Sequence, residues 1–225
     1  MQYFTRQEMI LWCGSVLLIL AAFLAFDRVN YLSLAASLIG VTSLIFAAKG
    51  NPAAQVLMIL FSLLYGMISY SFRYYGELIT YLGMTMPMAV FTLISWLKHP
   101  FQGNSSEVRV HHITKSELFL TCILTLIVTV LFYFILNYFH TANLLPSTVS
   151  VTTSFLAVSL TFFRSPYYAI AYAANDIILI ILWTLASLEN SSYISVLVCF
   201  FVFLVNDIYG FISWKRMEKR QRHSA

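Results

Sequence analysis

The sequence predicts an all-α integral membrane protein of about eight spans, and three observations carry that reading. Hydrophobic residues fill 60% of its 225 positions and charged residues only 10%, against about 25% charged in an ordinary soluble domain. Too few polar side chains remain to coat a soluble core of this size. The apolar residues fall into runs of about 20, the length a helix needs to cross the hydrocarbon core. Eleven of the 13 Lys and Arg residues fall on one side, at the N-terminus and in every second break between those runs, which is the signature of a threaded chain.

Taken in order, the expected spans are Glu8–Phe26, Tyr31–Ala48, Ala53–Phe72, Glu77–Leu97, Leu118–Tyr138, Ser147–Phe163, Tyr167–Ser187 and Tyr193–Trp214. The first is read as a retained helix, because Met1–Glu8 carries one cation (Arg6) and one acid (Glu8) and lacks a basic leader. Short polar breaks separate the next spans: Asp27 to Asn30, Lys49 to Pro52, Arg73 to Gly76 and Arg164 to Pro166. Such turns make consecutive helices antiparallel neighbours. In the third break, Arg73 and Glu77 are spaced i, i+4 and are expected to pair. Pro87 is expected to kink the fourth span, since it removes a helical donor. The sixth span is short and rich in Ser and Thr, so it is expected inside the bundle. The polar stretch Lys98–Glu117, with His111 and His112, reads as a solvated linker.

Arg6, Lys49, Lys98, Arg109, Lys115, Arg164, Lys215, Arg216, Lys219, Arg220 and Arg222 share one side, while Arg28 and Arg73 are alone on the other. Positive charge stays inside, so both termini are expected in the cytoplasm. The basic tail Lys215–Arg222 suits anionic lipid, not nucleic acid, because it offers no fold to read bases. Cys13, Cys122 and Cys199 lie singly in apolar runs and suggest neither a metal site nor a disulfide framework. No cofactor is expected.

A repeat emerges near the helix ends. Ile94-Ser95-Trp96 recurs as Ile212-Ser213-Trp214, 118 positions later, and Pro52 recurs as Pro166, 114 positions later. This suggests a three-helix block copied once. Three spans reverse the chain's direction, and one added span restores it. The two blocks can then pair in parallel about an axis along the membrane normal. The expected organisation is 3+1+3 with one extra helix: an N-terminal helix over 1–30, a first block over 31–98, a loop and linker helix over 99–146, a second block over 147–214 and a basic tail over 215–225.

Two Asn-Asp pairs stand out: Asn175-Asp176 and Asn206-Asp207, each within a long apolar run. Carboxylates at membrane depth are costly and mark pathways or binding sites. Each Asn lies eight residues from the cytoplasmic end of its span, roughly 12 Å deep at the helical rise, so the pairs are level. Tyr168, Tyr172, Asn175 and Trp183 fall near one face of the seventh span, and Asn206 and Tyr209 share a face of the eighth. Ser62 and Tyr65 reach the same depth on the third span, with Gln55 nearer its cytoplasmic end. These eleven residues, Asp176 and Asp207 included, form the expected site: amides, hydroxyls, aromatic rings and carboxylates that suit a flat polar heterocycle. An aspartyl protease inside the membrane would also use two level carboxylates, Asp176 and Asp207. The flanking residues typical of that class are missing.

The segment Leu64-Tyr65-Gly66-Met67-Ile68-Ser69-Tyr70-Ser71-Phe72-Arg73-Tyr74-Tyr75-Gly76-Glu77 resembles the PnuC family of vitamin transporters, as does Asn206-Asp207-Ile208-Tyr209-Gly210-Phe211-Ile212-Ser213-Trp214. The resemblance covers about Tyr31 to Trp214. It implies the family's seven-helix fold, related to SWEET sugar transporters. It also implies facilitated uptake of nicotinamide riboside across the bacterial inner membrane, trapping by a cytoplasmic kinase, and homotrimers. The family's seventh span carries two Trp three apart and an Asn four residues later. Here those positions are Tyr168, Ala171 and Asn175, so thiamine, riboflavin and deoxynucleosides stay open as solutes.

Overall fold

A computed structural model describes residues 3–71, 75–141 and 143–224. Eight helices are long and apolar enough to span a membrane. They are α1 (Arg6–Phe26), α2 (Tyr31–Ala48), α3 (Ala53–Ser71), α4 (Gly76–Lys98), α5 (Lys115–Tyr138), α6 (Leu144–Phe162), α7 (Tyr168–Glu189) and α8 (Ile194–Ser224). The expected pair of Arg73 with Glu77 falls outside the described residues.

Local chemistry sets the ends. Thr5 and Thr114 begin α1 and α5 with capping boxes, each closed by a glutamate three residues on (Glu8 and Glu117). In α4, Pro87 follows a π-helical turn, Thr80–Thr85, where Met86 N–H reaches back five residues to the Tyr81 carbonyl. The expected kink is thus realised as a widened turn just before the proline. π-helical turns of this sort favour functional sites, because they re-aim side chains that α-helical spacing would bury.

Consecutive spans pack as neighbours except α4 and α5, and two further contacts close the ring: α2 on α8 and α4 on α6. The window of α6 is 44% buried, the most of the eight, whereas that of α5 is 17% buried and that of α1 is 22%. Hydroxyl-rich α6 therefore lies inside the bundle and α5 at its margin. Helix α1 also lies outside the ring but is fastened to it. Glu8 bonds Lys49 at 3.2 Å and accepts from Tyr209 Oη at 3.2 Å, and Trp12 Nε1 donates to Thr42 Oγ1 at 3.2 Å.

The repeated Ile-Ser-Trp elements occupy equivalent places at one end of the bundle. Trp96 Nε1 donates to the Thr161 carbonyl at 3.0 Å, and Trp214 Nε1 donates to the Ala47 carbonyl at 2.7 Å. Ser95 Oγ donates to the Phe162 carbonyl at 3.1 Å and Ser213 Oγ to the Ala48 carbonyl at 2.7 Å. Each Ser-Trp pair thus adds side-chain donors to carbonyls in the last turn of a helix, where Thr161 and Ala47 also accept from the Arg164 and Gly50 N–H groups. The end of α4 caps α6, and the stretch of α8 around Trp214 caps α2. Both indoles are fully buried and meet at 5.5 Å between ring centroids. After each capped end the chain turns through a left-handed residue, Gly50 (φ +64°) and Arg164 (φ +57°).

The stretch after α4 departs from the solvated linker expected of it. Pro100–Phe101 (β1) and Asn104–Val108 (β2) form an antiparallel hairpin. Its exit strand donates from Val108 N–H to the Gly50 carbonyl at 2.9 Å, and His111 N–H donates to the Arg164 carbonyl at 3.1 Å. The same stretch lies on α8, which continues through the basic tail to Ser224. Gln221 Nε2 donates to the Val108 carbonyl at 3.0 Å, and Val110 N–H donates to Gln221 Oε1 at 2.8 Å. His111 and His112 pair with Glu117 and Glu218 at 3.0 and 2.9 Å.

Candidate functional site

The Asn-Asp pairs divide their labour. Adjacent residues on a helix point about 100° apart, so one member of each pair can face the bundle axis while the other faces a neighbouring helix. Asp176 of α7 and Asp207 of α8 line the same chamber, and each is 4% exposed. Asn175 faces α6, where its Oδ1 accepts from Ser150, Thr153 and Ser154 at 3.0, 2.9 and 3.0 Å. Asn206 faces α1, donating to Ser15 Oγ at 2.9 Å and to the Val202 carbonyl at 2.8 Å.

Asp176 and Asp207 line a narrow chamber of about 100 Å³ between the helices. Helices α2–α4 and α6–α8 wall it, with one residue, Leu136, from α5. Its polar lining combines Asn175, Asp176 and Asp207 with Glu77, Thr80 and Thr85 of α4 and Ser147, Ser150 and Ser154 of α6. Tyr81, Tyr172, Phe61 and Phe203 supply aromatic faces. Among the described residues that line it there is no Lys, Arg or His. The outer oxygen of Asp176, Oδ2, is buried without a hydrogen-bond partner.

Phe61, Phe200 and Phe203 also line a second cavity nearer the outer surface, so these rings lie between the two spaces. Phe61 and Phe203 meet at 6.3 Å, and Phe200 and Phe203 at 5.7 Å. Gly40 makes room for this layer: a Cβ there would come within 2.5 Å of the Phe203 ring. Asp27, Asn30, Asn190 and Ser192 at the outer turns rim the second cavity.

Of the eleven residues the sequence singled out, the inner chamber gathers Asn175, Asp176, Asp207 and Tyr172. Tyr65 and Trp183 line the outer cavity instead. Tyr168 is buried against Trp214, with ring centroids 5.0 Å apart. Tyr209 is turned to Glu8, and Asn206 to α1. Gln55 and Ser62 are buried but lie outside the chamber lining. The α4 contribution (Glu77, Thr80, Tyr81 and Thr85) was missed, although Pro87 was a signal that this helix departs from regular spacing.

A chamber walled by six membrane-length helices, mostly apolar but set with carboxyl, amide and hydroxyl groups, is the arrangement of a carrier of small solutes. The chain belongs to the nicotinamide mononucleotide transporter family, whose profile matches residues 30–216. It is 26% identical over 215 residues to the nicotinamide riboside transporter PnuC of Neisseria mucosa, an alignment covering 93% of this chain and 81% of that one. Its fold is that of the crystal structure of the vitamin B3 transporter PnuC, with a TM-score of 0.83 at 22% identity. That match covers 97% of this chain and 94% of the other. The aspartyl-protease alternative finds no support in these likenesses, which are all to transporters.

Proposed function

We propose that this chain carries nicotinamide riboside, by facilitated diffusion, across a bacterial inner membrane into the cytoplasm. The family description names a mononucleotide and the Neisseria relative a riboside, and the chamber distinguishes these chemistries. The carrying observation is its charge. Three carboxylate side chains line it, Glu77, Asp176 and Asp207, and no cationic side chain does among the described residues. A phosphate monoester brings about two negative charges, and Coulomb repulsion inside a low-dielectric site is strong. The dephosphorylated riboside has hydroxyls for the Ser and Thr lining and a flat ring for Tyr81, Tyr172 and Phe203.

In this reading, 31–98 and 147–214 are two three-helix blocks joined by the linker helix in 99–146, and access alternates as they rock. The paired Ser-Trp caps support that division, since each block's last helix caps the other block's first helix. Helix α1, from 1–30, stays with α8 and α2. Both termini face the cytoplasm on the strength of the cation asymmetry. There a kinase traps the solute by phosphorylation without needing to touch the carrier. The trimer implied by the family resemblance would use lipid-facing surfaces and leave each chamber within one chain.

The test is flux in proteoliposomes. Radiolabelled nicotinamide riboside is expected to equilibrate to equal concentrations inside and out, with no response to a pH gradient, while nicotinamide mononucleotide stays outside. Failure of nicotinamide riboside to enter faster than in empty vesicles overturns the reading, and accumulation above equilibrium overturns facilitated diffusion.

A further inference from the structure

We infer that Asp176 and Asp207 together act as the counter-ion for a permanently charged heteroaromatic ring, so that the carrier selects its solute by ring charge. This rests on the inner chamber being the solute site, and it narrows the solutes to N-substituted pyridinium or thiazolium compounds.

Three observations combine. First, two carboxyl groups from different helices line one chamber, each residue only 4% exposed, and Asp176 Oδ2 lacks a hydrogen-bond donor. A buried acceptor without a partner is costly, and such exceptions in a native fold call for an absent partner. Second, the described lining supplies no Lys, Arg or His to serve as that partner. Among the described residues the lining thus offers the two acids no cationic partner, and a solute cation beside them would offset their loss of water. Third, the surrounding faces are aromatic. Tyr81, Tyr172 and Phe203 line the same chamber, and aromatic faces attract cations and stack on flat rings. A compact metal ion would use the carboxyl groups but not these faces. A charged flat ring uses both.

Neutral solutes of the same outline are disfavoured for the same reason, because they leave the acid pair uncompensated. Riboflavin and the deoxynucleosides fall in that group, whereas thiamine, with its thiazolium ring, satisfies the charge requirement.

The experiment compares two forms of one solute by microscale binding to the purified, detergent-solubilised carrier. Nicotinamide riboside carries a fixed pyridinium charge; 1,4-dihydronicotinamide riboside keeps the ribose and carboxamide but is neutral. Wild-type protein is expected to bind the cation at least about tenfold tighter, as befits a buried charge gaining its partner. In Asp176→Asn and Asp207→Asn the preference should shrink at least about threefold through loss of cation affinity, with affinity for the neutral form held. Equal wild-type affinity for the two forms overturns the charge inference and leaves nicotinamide riboside transport standing. Binding of neither overturns the solute site itself. The wild-type comparison requires no variant to fold.

Discussion

Asp207 and Asn206 are adjacent, yet only the first reaches the chamber. The sequence marked both as unusual for membrane depth, and it placed both pairs at one level. What it could not assign was rotation. The direction a pair faces is set by what the next helix offers: three hydroxyls of α6 hold Asn175, and Ser15 of α1 holds Asn206. Trp183 was similarly at the right spacing but eight residues farther from the cytoplasm than Asn175, and lines the outer cavity. Asn206→Ala is therefore expected to leave nicotinamide riboside affinity within about twofold while lowering stability by about 0.6–1.7 kcal/mol, the range for hydrogen bonds between membrane helices. Binding and thermal unfolding, measured on one preparation, check this. A loss of affinity as large as that of Asp207→Asn would contradict the assignment of Asn206 to α1.

At the level of elements, the spans were legible because bilayer thickness imposes their length. The interior place of α6 was legible from its Ser and Thr content. The π-helical turn in α4 was not, since one extra residue per turn leaves hydropathy almost unchanged, and only Pro87 hinted at it. The hairpin after α4 was misread as linker because its order comes from distant backbone partners at Gly50, Arg164 and Gln221. The Ile-Ser-Trp repeat was visible, while its use as a pair of caps required the fold. Replacing the indole donor in Trp214→Phe removes one of two donors to the Ala47 carbonyl, which keeps the Gly50 N–H, and is expected to cost about 0.5–1.5 kcal/mol. Trp96→Phe should cost a similar amount. Because the two rings touch, the double variant should depart from additivity by about 0.5 kcal/mol or more. Unfolding of the two single variants and the double variant measures this, and strict additivity would contradict energetic coupling of the caps through Trp96 and Trp214.

For the molecule as a whole, the features combine into one path. The turns before α2 and α8 rim the second cavity, the Phe61, Phe200 and Phe203 rings separate it from the chamber, and the Trp pair lies buried outside the chamber lining. The account stands or falls on where solute rests along that path. A structure of the carrier with bound nicotinamide riboside measures it directly. The pyridinium ring is expected within about 4 Å of the Asp176 and Asp207 carboxyl groups, a distance at which buried opposite charges interact strongly. Density for the ring in the outer cavity beside Trp183, with the chamber empty, would contradict it.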